Sequence, residues 1–139
     1  MSKVLVDIVV RTDGGSNPNP GPSGVAFTVE EKGKLKCAHC EYIEMATNNE
    51  AEYIAIVMAL EYLKAHFPKK RVKILSDSQL VISQMKGEYK VKANNLLSIR
   101  EKIDDLLKGM KVEFEWNERK ENKIADRLVR FVRGEIGIE

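Results

Sequence analysis

The sequence is poor in the side chains that bind zinc or form disulfide bonds. Its 139 residues include two cysteines and two histidines, whereas a zinc site needs four ligands. Both cysteines, Cys37 and Cys40, lie in the segment KCAHC. If residues 35–43 form a strand, the side-chain period of two places the thiols on opposite faces, where they cannot bind one ion together. We therefore interpret them as incidental thiols.

A strong charge excess and a long apolar segment are also absent from the sequence. Lys and Arg number 23 against 21 Asp and Glu, a net charge of +2, so any basic surface for a nucleic acid must be local. The first ten residues, MSKVLVDIVV, carry charges within too short an apolar run for a signal peptide, and no stretch of about 18 uncharged apolar residues could span a bilayer. We expect a soluble, cytoplasmic protein without membrane contact.

The composition and the hydrophobic pattern predict one domain over residues 1–139. With 43% hydrophobic residues, 9 Gly and 4 Pro, the chain can bury a sizeable core. Strand patterns are found at residues 4–12, 25–30, 35–43, 72–75 and 111–116, and helix patterns at residues 48–67, 79–85, 95–108 and 122–133. The order βββαβααβα predicts an α/β fold of mixed α+β type. We expect a mixed five-stranded sheet whose later strands run parallel to the first, with helices on both faces.

Two acidic residues stand out by their positions. Asp13 ends the first predicted strand, at the start of a Gly- and Pro-rich segment, TDGGSNPNPGPSG; a simple hairpin turn is the alternative interpretation. On the first helix, an advance of about 100° per residue places Glu50 on the solvent side and Glu52 toward the sheet. An isolated carboxylate that faces the core is costly unless a cation or hydrogen-bond donors compensate it.

Two further carboxylates have structural alternatives of equal weight. Asp77 directly follows the strand VKIL, at the sheet edge where α/β proteins bind ligands, but Ser76 or Asp77 could instead cap the next helix. Asp126 lies on the flank of the last helix, where it could pair with Arg130 one turn on.

One topology brings all four carboxylates together. If the first strand is central, the elements that carry Glu52, Asp77 and Asp126 can all direct their side chains to the position of Asp13. Four clustered carboxylates need cations, and hard oxygen ligands without His or Cys favour magnesium or manganese. Two such ions about 4 Å apart can activate water and stabilise a leaving oxygen at a phosphodiester.

Four segments, TDGGSNPNPGPSG, TNNEAEY, SDSQLV and ENKIADRLV, resemble in order and spacing the catalytic segments of the type 1 ribonuclease H family (ribonuclease HI) in its short archaeal and bacterial form. The resemblance runs from about residue 7 to 130 and includes KGEYKVK. It implies a ribonuclease H-like fold and hydrolysis of the RNA strand of RNA/DNA hybrids, which leaves 5′-phosphate and 3′-hydroxyl ends. It also implies two Mg²⁺ ions, with Mn²⁺ as a substitute. Their ligands would be Asp13, Glu52, Asp77 and Asp126, with Asp13 as the bridge.

The resemblance also suggests substrate contacts and a monomer without an obligatory protein partner. The segments TNN and SDSQ touch the hybrid in family members, so Thr47 is expected near a DNA phosphate. The expected groove contacts are Asn48, Asn49 and Gln79. The stiff loop would hold the strand end open, while Gly14 and Gly15 would remove side chains that block a phosphate. As an alternative, Asn48 or Asn49 could cap the helix.

Two departures from the family pattern affect the functional prediction. The segment WNERKENKIAD has no histidine before the last aspartate, so either Glu118 or Arg119 partly replaces it or no residue does. Lys86, Lys90 and Lys92 form a modest basic strip with Tyr89, and a solvated helix end is the alternative interpretation. The longer basic protrusion of some relatives is missing, so substrate binding should be weaker and more sensitive to salt. A related nuclease that also cleaves duplex RNA and a non-catalytic nucleic-acid-binding relative remain alternative functions.

Overall fold

A computed structural model describes residues 5–137, and its elements follow the predicted order. The strands are β1 (Ile8–Ser16), β2 (Gly21–Glu31), β3 (Lys34–Ala46), β4 (Arg71–Ser76) and β5 (Lys111–Trp116). The helices are α1 (Asn48–His66), α2 (Gln79–Met85), α3 (Asn94–Leu107) and α4 (Lys123–Val132), with a short 3-10 helix at Arg119–Glu121. None of the helices described is long and apolar enough to cross a membrane. The predicted start of the first strand, at residue 4, lies outside the described residues.

The five strands form one mixed sheet in the order β3-β2-β1-β4-β5, so the first strand is central. β2 pairs antiparallel with both β1 and β3, whereas β4 is parallel to β1 and β5 is parallel to β4. This arrangement confirms the predicted sheet. The central position of β1 is also the condition under which the four carboxylates could converge.

Helices cover both faces of the sheet, as predicted. Consecutive residues of β2 point to opposite faces. Val25 packs against α1 residues, and its neighbour Ala26 packs against α4 residues. Residues of α2 and α3 join the core on the α1 side. The two cysteines separate in the same way, because Cys37 packs against the core on the α1 side and Cys40 contacts the α4 cluster.

The first hairpin is longer than the sequence predicts. The pairing of β1 with β2 continues through Asp13↔Ala26 to Ser16↔Ser23, so Asp13 lies inside β1 and not at its end. Gly, Ser and Pro have low strand propensity, but the ladder to a neighbouring strand overrides this local preference. What ends near Asp13 is the parallel pairing of β1 with β4, whose last pair is Arg11↔Leu75. The sheet therefore opens between these two strands.

Candidate active site

The opening between β1 and β4 holds the carboxylates of Asp13 and Asp77. Each residue lies two positions beyond the last parallel pair, Arg11↔Leu75. Paired residues of neighbouring strands point to the same face, and Asp13 pairs with Ala26, which packs against α4. Asp13 therefore approaches the opening from the α4 face of the sheet.

Glu52 reaches the same opening from the α1 face. It is only 8% exposed, which confirms that it points toward the sheet. Its Oε1 accepts a hydrogen bond of 2.7 Å from the backbone N–H of Gly14, and the Ser76 hydroxyl lies 3.5 Å from Oε2 as a donor. Glu50 is half-buried and belongs instead to the capping of α1.

Gly14 allows α1 to approach β1 closely. A Cβ at this position would collide with the backbone of Ala51 and would lie 2.7 Å from the amide nitrogen of Glu52. The expectation that Gly14 clears space for a phosphate is thus incomplete, because α1 can pack this close to β1 only if residue 14 has no side chain. The same N–H donates to Asp13 Oδ1 at 3.0 Å as well as to Glu52. Close contact at Gly14 therefore sets the spacing of both carboxylates.

Three of the four predicted carboxylates form a compact group. One oxygen from each of Asp13, Glu52 and Asp77 lies within 4.8 Å of the others. Asp126 lies outside this group but lines the same cavity, whose volume is about 370 Å³. Among the described residues that line the cavity, none is His or Cys. The donors are hard oxygen atoms, which suit magnesium or manganese.

Burial and mutual repulsion raise the pKa values of two of these groups. The pKa of Asp13 rises from 3.8 to about 7, mainly because the carboxyl is buried and next because Asp77 and Asp126 repel its charged form. The pKa of Glu52 lies well above its ordinary value, again through burial first and then the charges of Asp13 and Asp77. A bound cation would relieve this repulsion, so the residues present fit a metal site.

Asp77 is held by two side chains, one from the end of β5 and one from the 3-10 helix that follows it. Arg119 Nε donates to Asp77 Oδ2 at 3.1 Å, and Trp116 Nε1 donates to the backbone carbonyl of Asp77 at 3.1 Å. The alternative of Ser76 or Asp77 as the cap of α2 is wrong, because Ser78 is the N-cap and its hydroxyl accepts from the N–H of Val81. The carboxylate of Asp77 is therefore not used as a helix cap.

Asn122 fixes the start of α4 against β1. Its side chain is fully buried, and Nδ2 donates to the carbonyl of Thr12 at 2.8 Å, next to Asp13. The Asn122 carbonyl accepts from the N–H of Asp126 at 3.0 Å. Within residues 5–137 Asp126 forms no ion pair with Arg130, so the alternative of a helix-surface pair is wrong. Sequence reasoning missed Asn122, although it lies one turn before Asp126.

The predicted substrate contacts divide into two groups. Gly14, Gly15, Asn48 and Asn49 line the cavity, whereas Thr47 and Gln79 lie outside it. Their roles stay predictions. The structure does correct the alternative that Asn48 or Asn49 caps α1.

Thr47 is the N-cap of α1 and forms a capping box with Glu50. Its hydroxyl accepts from the Glu50 N–H at 3.1 Å, and Glu50 Oε1 accepts from the Thr47 N–H at 2.8 Å. Asn48 instead faces β1, where its Oδ1 accepts from the Ser16 N–H at 2.8 Å and the Ser16 hydroxyl at 3.1 Å. The loop residue Asn19 accepts from the Asn48 N–H at 3.0 Å, so the Gly- and Pro-rich loop contacts the start of the helix.

Four further cavity residues were not predicted as site residues: Ser78, Arg119, Val129 and Arg133. A sequence signal exists for the last two, because residues three and seven positions after Asp126 lie on the same face of a helix. For Arg119 the sequence offers only a possible role in place of a loop histidine.

Comparison with known proteins identifies the family. A family model described as RNase H matches residues 6–133. The chain belongs to the ribonuclease H family. Its relatives include a bifunctional protein of Mycobacterium tuberculosis, 35% identical over 125 residues, which cover 87% of this chain and 34% of that protein. Ribonuclease HI of Halobacterium salinarum is 37% identical over 98 residues, or 70% of this chain and 49% of that protein. This ribonuclease H family member thus spans about a third to a half of these relatives' lengths.

The structural comparison agrees with the family membership. LC11 ribonuclease H1, isolated from compost by a metagenomic approach and solved in complex with an RNA/DNA hybrid, superimposes with a TM-score of 0.87. It is 33% identical, and the match covers 91% of this chain and 96% of that chain. The resemblance to type 1 ribonuclease H that the four sequence segments indicate is confirmed.

Proposed function

We propose that this chain is an endonuclease that hydrolyses the RNA strand of RNA/DNA hybrids, leaving 5′-phosphate and 3′-hydroxyl ends. The observation that carries the proposal is the group of three carboxylates within 4.8 Å, with Asp126 in the same cavity, in a member of the ribonuclease H family. The complex of LC11 ribonuclease H1 with an RNA/DNA hybrid supports the choice of substrate. In this proposal residues 1–139 form one catalytic domain. A monomeric state and a cytoplasmic location stay predictions.

The proposed ligands of two divalent ions are Asp13, Glu52, Asp77 and Asp126, with Asp13 as the bridging ligand. When bound, Mg²⁺ or Mn²⁺ would supply an activated water and stabilise the leaving oxygen of the phosphodiester. The Gly14 N–H, which donates to both Asp13 and Glu52, keeps these two oxygens in place. Pre-positioned carboxylates of this kind need little rearrangement when the cations and the phosphate arrive.

We propose that the polar groups beside the carboxylates distinguish RNA from DNA. The 2′-hydroxyl of ribose can donate and accept hydrogen bonds, and it distinguishes the two strands. Ser16 occupies Asn48 Oδ1, so the Asn48 Nδ2 group is the one available to donate to a substrate oxygen. Gly14, Gly15 and Asn49 share the same cavity as possible backbone and side-chain contacts. Thr47 and Gln79 do not line this cavity, and their contacts with the substrate stay predictions.

The proposal is tested by incubating the purified chain with Mg²⁺ and labelled RNA/DNA hybrid, duplex RNA, duplex DNA and single strands. We expect cleavage of the RNA strand in the hybrid, none in EDTA, and none by Asp13→Asn that retains the wild-type circular dichroism spectrum. Lys36→Gln, which changes an exposed residue on β3, serves as the control that should cut normally. Cleavage that persists in EDTA or in Asp13→Asn would contradict the carboxylate assignment. Equal cutting of duplex RNA would support the broader nuclease.

A further inference from the structure

Arg133 lines the acidic cavity, but the function proposed above gives it no role. It is the C-terminal cap of α4, seven residues after Asp126, so both side chains lie on the same face of the helix. Its neighbours in the cavity are Gly15 and Asn48, while Arg119 lies beside Asp77.

The guanidinium of Arg133 is held in place, with its terminal nitrogens still available. The side chain is 13% exposed, and its Nε lies 2.6 Å from Glu135 Oε2. The N–H does not point along this line, so the contact is an ion pair without an aligned hydrogen bond. Nη1 lies over Gly15, 3.1 Å from the position a Cβ would take. Within residues 5–137 neither Nη1 nor Nη2 donates a hydrogen bond to the protein.

Gly15 is part of this arrangement because it has no side chain to displace the guanidinium. A Cβ there would also lie 3.6 Å from Asn48 Oδ1, between the two polar groups. With glycine at this position, the planar cation of Arg133 and the amide of Asn48 border the same part of the cavity. An oxyanion that enters there can accept hydrogen bonds from the guanidinium of Arg133.

The charged residues that line the cavity indicate what Arg133 binds. A nucleic-acid strand that brings one phosphate to the carboxylates must also bring its neighbouring phosphates into an acidic surrounding. Arg119 already pairs with Asp77, whereas Arg133 pairs with Glu135, which does not line the cavity. A guanidinium presents paired N–H donors that match the oxygen atoms of a phosphate.

We propose that Arg133 binds a backbone phosphate adjacent to the scissile one and thereby sets the position of the strand along the cavity. This inference rests on the proposed hydrolysis of a nucleic acid, but it concerns a residue that the hydrolysis itself does not require. Arg133 is therefore a substrate-binding residue, whose loss should raise KM and leave kcat nearly unchanged.

The test compares Arg133→Gln, Arg133→Lys and the control Arg127→Gln, which changes an exposed arginine of the same helix outside the cavity. Binding of a labelled RNA/DNA hybrid is measured over a series of salt concentrations in the Asp13→Asn background, and kcat and KM are measured in the wild-type background. For Arg133→Gln we expect a KM raised roughly five- to tenfold. The slope of log K against log salt should become shallower by about 0.7 to 0.9, the change for one lost phosphate contact.

The other variants make the result specific. Arg133→Lys should keep the wild-type salt slope, because the charge remains, but should recover only part of the affinity. Arg127→Gln should leave slope, KM and kcat unchanged. If the wild-type chain cuts the hybrid and Arg133→Gln retains its salt slope and KM, this inference is wrong and the proposed function stands. If the wild-type chain does not cut any nucleic acid, the proposed function itself fails.

Discussion

At the scale of single residues, Glu50 and Glu52 differ sharply although only one position separates them. Glu52 is nearly buried beside Asp13, whereas Glu50 accepts a hydrogen bond from the Thr47 N–H in the capping box. We predict that Glu52→Gln lowers kcat by about a hundredfold or more, because a neutral amide lacks the negative charge of a carboxylate ligand. Glu50→Gln should keep wild-type kcat, since Gln also completes a capping box.

Steady-state cleavage of the hybrid and thermal melting, measured on both variants, check this prediction. Glu50→Ala is a useful third variant. Loss of the capping box should lower the free energy of unfolding by about 0.5 to 1 kcal/mol without a matching loss of kcat. A larger loss of kcat in Glu50→Gln than in Glu52→Gln would mean that the wrong carboxylate has been assigned to the site.

Arg119 is the second residue for which we predict a contribution to kcat. Its hydrogen bond to Asp77 favours it over Glu118 as the functional replacement for a loop histidine, since Glu118 pairs with Lys120 at 3.3 Å. The pKa of Arg119 is raised by this bond and by the charge of Asp77, so it remains a cation. We predict that Arg119→Ala lowers kcat roughly tenfold, equivalent to about 1.4 kcal/mol of transition-state stabilisation.

Stability should fall by only about 1 kcal/mol in Arg119→Ala, because the Arg119 side chain is 81% exposed, although its partner Asp77 is only 9% exposed and loses a charge-assisted hydrogen bond. Lys120→Ala provides the matched control from the same short helix. The dependence of kcat on pH, measured for Arg119→Ala and the wild type, shows whether Arg119 affects the titration of the groups that take part in the reaction. A wild-type kcat in Arg119→Ala over the whole pH range would refute the assignment.

At the scale of elements, the contact of α1 with β1 determines where Glu52 lies. A Cβ at position 14 would overlap the backbone of Ala51, which can move only with the helix. We predict that Gly14→Ala destabilises the protein by about 1 to 3 kcal/mol, as expected for overpacking, and reduces cleavage more than the loss of stability alone explains. Chemical denaturation and cleavage assays on the folded fraction measure both effects.

Gly137→Ala is the control for this substitution, because a Cβ there meets nothing within 4 Å. It should alter stability by less than about 0.5 kcal/mol. Wild-type stability and activity in Gly14→Ala would show that the strand and helix can separate without cost, and the close-approach explanation would then be wrong.

The elements themselves were largely predictable from the sequence, and the errors have physical causes. Periodicity indicated the four α-helices and the five strands of the described residues but not the short 3-10 helix, and it ended β1 near Asp13 because Gly, Ser and Pro lack strand propensity. Pairing with β2, a tertiary effect, extends the strand to Ser16. The cap of α2 was misplaced by one or two residues, because Ser76, Asp77 and Ser78 are all good capping residues and only the backbone path selects among them.

At the scale of the whole molecule, the sequence predicted the charged site better than its neutral and basic surroundings. Carboxylates that face a core or follow a strand are conspicuous, and the central position of β1, which was the condition for their convergence, brings three of them within 4.8 Å of one another. Helical spacing puts Asn122 and Arg133 on the same side of α4 as Asp126, but it does not show that this side packs against β1, so neither residue was predicted as part of the site. Side chains that act through long-range contacts therefore remain the hardest part of a site to predict.

The raised pKa of Asp13 links the stability of the whole molecule to pH and to metal ions. In the unfolded chain Asp13 titrates near its ordinary value of 3.8, but in the metal-free fold its pKa is about 7. Between these values the folded state binds more protons, so the free energy of unfolding should decrease as pH rises from about 4 to 7 and gain nothing further from this group above pH 7. Glu52 shifts in the same direction and adds to the decrease.

We therefore predict that the metal-free wild-type protein loses stability relative to Asp13→Asn as pH rises through this window. The difference between the two chains isolates the site from other titrating groups, because all other residues are the same. At pH 7.5, Mg²⁺ at ten- to a hundredfold above its Kd should stabilise the wild type by about 1.4 to 2.7 kcal/mol, since cations bind the folded carboxylates and not the unfolded chain. Asp13→Asn should respond much less. Thermal melting with and without EDTA at several pH values gives the measurement. Parallel pH curves for the two metal-free proteins, or an equal response to Mg²⁺, would show that Asp13 is not part of a repulsive carboxylate group in solution.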